Sequence, residues 1–135
     1  MVHRPRLVRL RSRISGSGVF AVEPIAKNRR IVEYKGELIS QTESERREQR
    51  YLPRGRIWIF NINRLWVRDA AFGGNIARYI NHSCRPNCYV EIEHHTIWIR
   101  ASRRIAKGEE LTYDYNTDGL AGITCQCRRG CGRIL

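Results

Sequence analysis

The sequence feature that most restricts the fold is a dense polar stretch near the middle of the chain, residues 78–88 (RYINHSCRPNC). After Tyr79 and Ile80 it carries two amides, a histidine, a hydroxyl and two thiols, a pattern unlike the alternation of a plain strand. Pro86 has no amide proton and favours an extended backbone at Arg85, so the stretch predicts a tight, irregular loop. On this stretch alone, an ordinary polar turn with a chance histidine is an equally good interpretation.

A second stretch, residues 109–115 (EELTYDY), favours one interpretation. Together, Asn81-His82-Ser83-Cys84 and Tyr113-Asp114-Tyr115 resemble the paired signature motifs of SET-domain lysine methyltransferases. Residues 16–21 (GSGVFA) and 33–37 (EYKGE) match two further motifs of that family, and all four come in the family's order. The resemblance extends over about residues 12–131, which is nearly the whole chain.

The resemblance implies a fold that is mainly β with short helices: the SET-domain β-clip fold, built of small sheets with a C-terminal pseudoknot. In that family the C-terminal signature threads beneath the NHSC loop (residues 81–84 here) and forms the active site. We expect a SET domain over residues 5–118, with an insert region at about 41–68, and a post-SET-like zinc-binding tail over 119–135. No cysteine-rich pre-SET segment precedes Leu7, so a second copy of the chain, forming a homodimer, is a candidate support for that face.

The remaining pattern predicts short strands and one helix. Residues 42–51 (TESERREQRY) carry early acids and later arginines with almost no apolar stripe, so they predict a surface helix capped by Thr42 or Ser44. β-Branched and aromatic residues bounded by turn formers predict strands and hairpins elsewhere. The predicted strands are 7–11, 19–22, 31–34, 37–39, 57–62, 65–68, 88–93 and 96–101, and His94-His95 is expected in a surface turn rather than at a metal.

The composition argues against a membrane protein and indicates a basic one. No apolar run approaches the roughly 20 residues that a membrane helix needs, and the first residues do not lead into a secretory segment. We therefore expect an intracellular protein, in either a nucleus or a bacterial cytoplasm. The formal net charge is +12, and only three of the 25 basic residues are lysines. This charge attracts nucleic acid and other polyanions, although an arginine-rich genome would produce the same bias.

The resemblance implies S-adenosylmethionine as the cofactor. In the family, the turn that matches Gly16-Ser17-Gly18 cradles this molecule, because residues without Cβ atoms let a ligand touch the backbone directly. On the residues alone, a Gly-x-Gly turn is ordinary. For Tyr51, an aromatic ring packed at a helix end is nearly as good an interpretation as a cofactor contact. The expected cofactor-binding residues are Gly16, Ser17, Gly18, Val19, Tyr51, Arg78, Asn81 and His82.

Two tyrosines are the candidate catalytic residues. Tyr115 matches the family's catalytic tyrosine, placed beside the transferred methyl group and the attacking nitrogen. Tyr113 matches a position at which the family carries phenylalanine or tyrosine, and a tyrosine there crowds a methylated amine. The resemblance thus implies a preference for monomethylation. Without the other motifs, a pair of core aromatics would be the better interpretation.

The cysteines predict a metal site. Five cysteines in an intracellular chain, three of them close together near the end, favour a metal over disulfides. The resemblance implies one zinc ion held by Cys84, Cys125, Cys127 and Cys131, and Cys88 is the spare thiol. Three residues separate Cys127 from Cys131 where the family usually has four, so the geometry of this loop is the open point.

The expected substrate is a protein that presents a lysine, histone-like in character. Two alternatives stay open on the sequence: a basic nucleic-acid-binding zinc module that uses Arg128, Arg129 and Arg133, and a SET scaffold without catalysis. A basic chain suits a basic substrate poorly, so a local acidic groove is also expected. Its candidates are Glu43, Glu45, Glu48, Glu91 and Glu93.

Overall fold

A computed structural model describes residues 3–116 and 122–135. The expected border between the SET domain and the tail, at residues 118 and 119, lies outside the described residues. Within the described part of the chain, none of the helices is long and apolar enough to cross a membrane.

Short strands dominate the architecture. The single α-helix of the described residues, α1, covers Gln41–Tyr51, and two 3₁₀ turns cover Leu52–Arg54 and Ile76–Tyr79. The strands are β1 (Leu7–Arg11), β2 (Ser17–Ala21), β3 (Arg30–Glu33), β4 (Glu37–Ser40), β5 (Ile59–Asn61), β6 (Trp66–Asp69), β7 (Asn81–His82), β8 (Cys88–Glu93), β9 (Thr96–Ala101) and β10 (Thr112–Tyr113). The mainly β prediction is therefore confirmed, together with the surface helix and the two hairpins.

The strands form four small sheets. β1 pairs with β2, β4–β6–β5 form one three-stranded antiparallel sheet, and β3–β9–β8 form another. β7 and β10 form a two-stranded parallel pair although they are far apart in the sequence: Asn81 pairs with Thr112, and His82 pairs with Tyr113. A parallel pair needs a long crossover connection, and here β8 and β9 lie within it.

An aliphatic core joins the sheets. In β9 the buried residues alternate with half-buried ones, which directs Ile97, Ile99 and Ala101 inward. Ile25, Ile31, Ile80, Ile105 and Leu111 complete the core, each with an exposed fraction of 1% or less. Burying one such side chain stabilises the folded state by about 1.5–3 kcal/mol. The core therefore stabilises small sheets that would not be stable alone.

The start of α1 differs from the prediction. The N-cap is Ser40, whose Oγ accepts a hydrogen bond from the Glu43 amide at 3.2 Å. Thr42 and Ser44 are therefore the wrong caps, because β4 continues directly into the helix and its last residue takes the capping position. Ser44 is instead buried, and its hydroxyl donates to the Gln41 carbonyl at 2.7 Å.

We expect Ser40→Ala to lower the free energy of unfolding by about 1 kcal/mol, since the substitution removes the acceptor for the Glu43 amide. Thr42→Ala is the matched control and should cost less than half as much. Chemical denaturation of both variants measures the two losses. Equal losses would contradict the assignment of the cap.

Candidate active site

A cleft of about 860 Å³ contains most of the predicted site residues. Its lining comes from the β1–β2 turn, the end of α1, the segment that leads into β7, and the C-terminal tail. The predicted site residues that line it are Gly16, Ser17, Tyr51, Arg78, Asn81, His82, Tyr115 and Cys125. The folded chain thus brings four separate parts of the sequence to one concave surface.

Asn81 ties the β1–β2 turn to the NHSC loop. Its Nδ2 lies 3.0 Å from the Ser17 carbonyl, 3.1 Å from the Ser15 carbonyl and 2.9 Å from Oε2 of Glu110. Oγ of Ser12 donates to the same carboxylate at 2.8 Å. The amide nitrogen of Asn81 is therefore used inside the protein, where it shapes the turn, and only its oxygen is left for a ligand.

Gly18 makes room for a protein side chain. A Cβ atom at this position would lie 2.3 Å from Oε2 of Glu110, far inside contact distance. The missing side chain at Gly18 thus admits the carboxylate that holds Asn81. Val19 has an exposed fraction of 0% and lies in the core. Neither residue lines the cleft, and a cofactor contact at Gly18 or Val19 stays a prediction.

The parallel β7–β10 pair places the C-terminal signature beside the NHSC loop. Asn81 is paired with Thr112 and His82 with Tyr113, and the Ser83 amide donates to the Tyr113 carbonyl at 3.2 Å. This is the arrangement expected for the C-terminal pseudoknot. It also fixes where Tyr115 must lie, because Tyr115 comes two residues after β10.

Tyr115 is held at both its backbone and its hydroxyl. Its amide donates to Nδ1 of His82 at 3.0 Å, and its hydroxyl donates to the Ile80 carbonyl at 2.5 Å. Burial, and then the nearby Glu110 carboxylate, raise the pKa of Tyr115 well above its usual range. The phenol therefore stays neutral, and it can orient a reacting group without adding a charge.

His82 uses both ring nitrogens within the protein. Nδ1 accepts from the Tyr115 amide, and Nε2 lies 3.3 Å from Sγ of Cys84. Burial lowers the pKa of His82; the nearby Asp114 raises it less, and Arg133 lowers it further. His82 is therefore neutral near physiological pH. A cofactor contact through its side chain has no free ring nitrogen to use, so the predicted cofactor role of His82 concerns its backbone and ring carbons.

Tyr113 belongs to a buried aromatic row rather than to the lining of the cleft. Its exposed fraction is 5%, and its ring centroid lies 4.9 Å from that of Tyr115 and 5.9 Å from that of Phe60. Tyr34 continues the row at 5.0 Å from Phe60, and its hydroxyl donates to the Trp58 carbonyl at 2.9 Å. Tyr34 was not among the predicted site residues, although it stands in the EYKGE motif that supported the resemblance.

A buried carboxylate, Asp69, was also missed. Its exposed fraction is 0%, and its Oδ2 accepts from the Tyr51 hydroxyl at 2.7 Å and from Nη1 of Arg47 at 2.8 Å. Burial and the hydrogen bond to Asp69 raise the pKa of Tyr51 to about 12. Asp69 thus fixes the orientation of Tyr51 at the cleft, and it is paired as a buried charge must be.

Arginines, not acids, surround the cleft. None of the described residues that line it is an aspartate or a glutamate, whereas Arg9, Arg46, Arg47, Arg50, Arg54, Arg56 and Arg78 all line it. None of the glutamates proposed for an acidic groove lines this cleft, so that groove stays a prediction for another part of the surface. Glu43 pairs with Arg46 and Arg47, and Glu91 and Glu93 pair with Arg30 on the β3–β9–β8 sheet. Arginine thus neutralises these three carboxylates.

Four thiols form a cysteine cluster (Cys84, Cys125, Cys127 and Cys131) whose Sγ atoms all lie within 4.8 Å of one another. Sγ of Cys84 is 3.9 Å from that of Cys125 and 3.8 Å from that of Cys131. A tetrahedral Zn²⁺ with Zn–S bonds of about 2.3 Å places its sulfurs about 3.8 Å apart, so this donor set fits zinc, and the distances are far too long for disulfides. Cys88 is buried in the core, as a spare thiol would be.

The comparisons with known proteins agree with this geometry. The SET domain family profile matches residues 16–116. The chain is 45% identical over 125 residues to human histone-lysine N-methyltransferase 2D, and it is 43% identical over 126 residues to the H3 lysine-4 specific histone-lysine N-methyltransferase of Yarrowia lipolytica. Each alignment covers 87% of this chain but only 2% and 11% of the respective relative, so the chain corresponds to a small part of those proteins.

Solved structures show the same fold. The crystal structure of the Chaetomium thermophilum polycomb repressive complex 2 superposes on 86% of this chain and 16% of the other chain, with a TM-score of 0.77 and 34% identity. The same complex in an autoinhibited conformation bound to S-adenosylmethionine superposes on 84% of this chain and 15% of that chain, with the same TM-score and identity.

We expect Gly18→Ala to destabilise the protein by about 1–3 kcal/mol, because the new methyl group collides with the Glu110 carboxylate. In a Glu110→Ala background the same substitution should cost clearly less. Thermal unfolding of wild type, both single variants and the double variant measures the coupling. An equal loss in both backgrounds would show that Gly18 does not make room for Glu110.

Proposed function

Because this chain belongs to the SET-domain family, we propose that it transfers methyl groups from S-adenosylmethionine to a lysine side chain of a protein, with histones as the first substrate class. The observation that carries the proposal is Tyr115, a neutral tyrosine held at the cleft by His82 and Ile80 next to the β7–β10 crossing. The similarity to histone-lysine N-methyltransferases supports the substrate class, and it favours a nuclear protein.

The chemistry asks for positioning more than for a reactive side chain. S-adenosylmethionine, when bound, supplies an electrophilic methyl carbon. The chain must hold a neutral lysine amine in line with that carbon and exclude water. The Ile80 carbonyl and the Tyr115 hydroxyl form a polar pair at the cleft, and the aromatic row of Tyr113, Phe60 and Tyr34 gives that region an apolar side.

An assay with isotopically labelled S-adenosylmethionine on cell extract and on purified histones tests the proposal. We expect labelled lysine in one or a few proteins. Absence of labelled lysine from both substrates, with a chain that is folded and loaded with zinc, would contradict the proposed activity.

We expect Tyr115→Phe to reduce kcat by at least about 100-fold, because the hydroxyl acts mainly in the transition state. Affinity for the cofactor should stay within a few fold. Tyr89→Phe is the control, since that exposed tyrosine lies on β8. Steady-state kinetics and calorimetric cofactor titration measure the two effects, and turnover within threefold of wild type would overturn the role of Tyr115.

The metal of the cysteine cluster is proposed to be zinc, one ion per chain. Burial raises the pKa of Cys127, but the Cys84 amide and the other thiols of the cluster outweigh it and lower the pKa overall. A thiolate, the form that binds metal, is thus favoured at Cys127, whereas burial and the neighbouring thiols raise the pKa of Cys125. A bound zinc would tie residues 125–131 to the NHSC loop through Cys84 and so hold the tail at the cleft.

We expect elemental analysis of protein purified without added metal to give about one equivalent of zinc. Cys84→Ser should lose most of it, because the substitution removes one of four thiolate ligands. Cys88→Ala should keep it, since Cys88 lies outside the cluster. Well under half an equivalent in wild type, or equal zinc in both variants, would exclude the four-cysteine site.

Monomethyl-lysine is proposed as the main product, on the basis of the Tyr113 hydroxyl. We expect wild type to stop mainly at monomethyl-lysine and Tyr113→Phe to form dimethyl-lysine or trimethyl-lysine. Removing the hydroxyl relieves the crowding, and about 1.4 kcal/mol is enough to change the second step tenfold. Mass spectrometry of product peptide at high conversion decides. Trimethyl-lysine as the main wild-type product would rule out the switch.

A second candidate property is binding to nucleic acid, and the seven arginines of the cleft favour it. Arg9 stacks on Tyr79 at 3.7 Å and Arg56 on Trp58 at 4.6 Å, which leaves their guanidinium edges for phosphate. A gel shift that weakens steeply with salt would support this property, and it can coexist with methyl transfer.

The homodimer stays a prediction, tested by light scattering.

A further inference from the structure

The ring of His82 lies between Tyr115 and the cysteine cluster. Only 4% of His82 is exposed, and its ring packs edge-on against that of Tyr115 with centroids 5.3 Å apart. One ring nitrogen contacts the Tyr115 amide at 3.0 Å, and the other lies 3.3 Å from Sγ of Cys84. A single side chain therefore touches both the candidate catalytic residue and a candidate metal ligand.

The two contacts together define where the ring proton lies. Nδ1 receives the N–H of Tyr115, so it must be the unprotonated nitrogen. In the neutral ring the proton is then on Nε2, which is the nitrogen directed at Cys84. His82 thus donates an N–H to the sulfur of Cys84, the polarity that stabilises a thiolate bound to a metal.

Cys84 carries this connection to the tail. Its Sγ is 3.9 Å from that of Cys125 and 3.8 Å from that of Cys131, and Nη1 of Arg133 donates to it at 3.7 Å. The tail residues, Cys84, His82 and the Tyr115 backbone therefore form one continuous set of contacts. Its members come from three distant parts of the sequence, with the cysteine cluster at one end of the set and Tyr115 at the other.

We propose that His82 is a positioning residue, whose imidazole holds the Cys84 sulfur and the Tyr115 backbone at a fixed separation so that metal binding in the tail orients the Tyr115 hydroxyl. This inference rests on the proposed methyl transfer for its effect on turnover. The same hydrogen bonds also have consequences for metal release and for the Tyr115 amide, which can be measured without turnover.

Two substitutions separate the two hydrogen bonds. His82→Asn keeps an oxygen close to the position of Nδ1, so it preserves an acceptor for the Tyr115 amide and removes the donor to Cys84. His82→Gln keeps an N–H close to the position of Nε2, so it preserves the donor and removes the acceptor. Thr112→Val is the control, because Thr112 lies in the same strand pair as His82 and is similarly buried. Its hydroxyl accepts from the Asn87 amide and has no hydrogen bond to Tyr115 or to the cysteine cluster.

Three readouts follow for the zinc-loaded proteins. Substitutions in the shell behind metal ligands typically change metal affinity or activity about 10–100-fold. We expect His82→Asn to release zinc to a chromogenic chelator at least about 10 times faster than wild type, and His82→Gln to release it at nearly the wild-type rate. We expect His82→Gln to lower kcat about tenfold with little change in the cofactor KM, and to shift the Tyr115 amide resonance in ¹⁵N NMR spectra.

The outcomes are separable. A wild-type protein without turnover counts against the proposed function, while zinc release and the Tyr115 resonance still decide the role of His82. The inference would be overturned if both His82 variants matched Thr112→Val in zinc release, in kcat and in the Tyr115 resonance. His82 would then be a space-filling ring. Loss of cofactor affinity alone, with normal zinc release, would also overturn it and assign His82 to cofactor binding. If His82→Gln fails to fold, faster zinc release from His82→Asn still supports the contact with Cys84, and wild-type release contradicts it.

Discussion

The parallel pairing of β7 with β10 is the contact on which the rest of the site depends. It joins residues 81–82 to residues 112–113 by only a few backbone hydrogen bonds, yet it brings the NHSC loop, Tyr115 and the cysteine tail to one cleft. Such a pair cannot form locally, because a long connection has to close first at a cost in chain entropy. The aliphatic core around Ile80 and Leu111, at the two approaches to this pair, offsets that cost. The site is thus a consequence of a packed core and not of the two short strands alone.

The lining of the cleft is strongly basic. A lysine substrate and a sulfonium cofactor are both cations, whereas the described lining carries seven arginines and no carboxylate. Arg47 is neutralised by Asp69 and Glu37, and Arg46 by Glu43, so part of this charge is balanced at the end of α1. Arg9 and Arg56 stack on Tyr79 and Trp58, and a surface with this surplus of positive charge attracts polyanions.

The sequence predicted those parts of the site whose chemistry is visible in single motifs. The NHSC loop, the Tyr113-Asp114-Tyr115 signature and the four cysteines all meet as expected, even with the shortened loop between Cys127 and Cys131. It could not predict residues whose role depends on partners far along the chain. Asp69 is defined by Arg47 and Tyr51, about 20 positions away, and Glu110 by Ser12 and Asn81. The Ser40 cap was missed because a strand that continues directly into a helix leaves no loop to mark the boundary.

We propose that one folded unit joins the cysteine cluster, the β7–β10 crossing and a cofactor site at Tyr115. Calorimetric titration of S-adenosylmethionine into the chain, before and after zinc is removed with a chelator, tests it most directly. We expect one cofactor per chain in the zinc-loaded protein and clearly weaker binding after chelation, while circular dichroism shows that the β structure persists. Equal affinity with and without zinc, or no binding to the zinc-loaded protein, would contradict it.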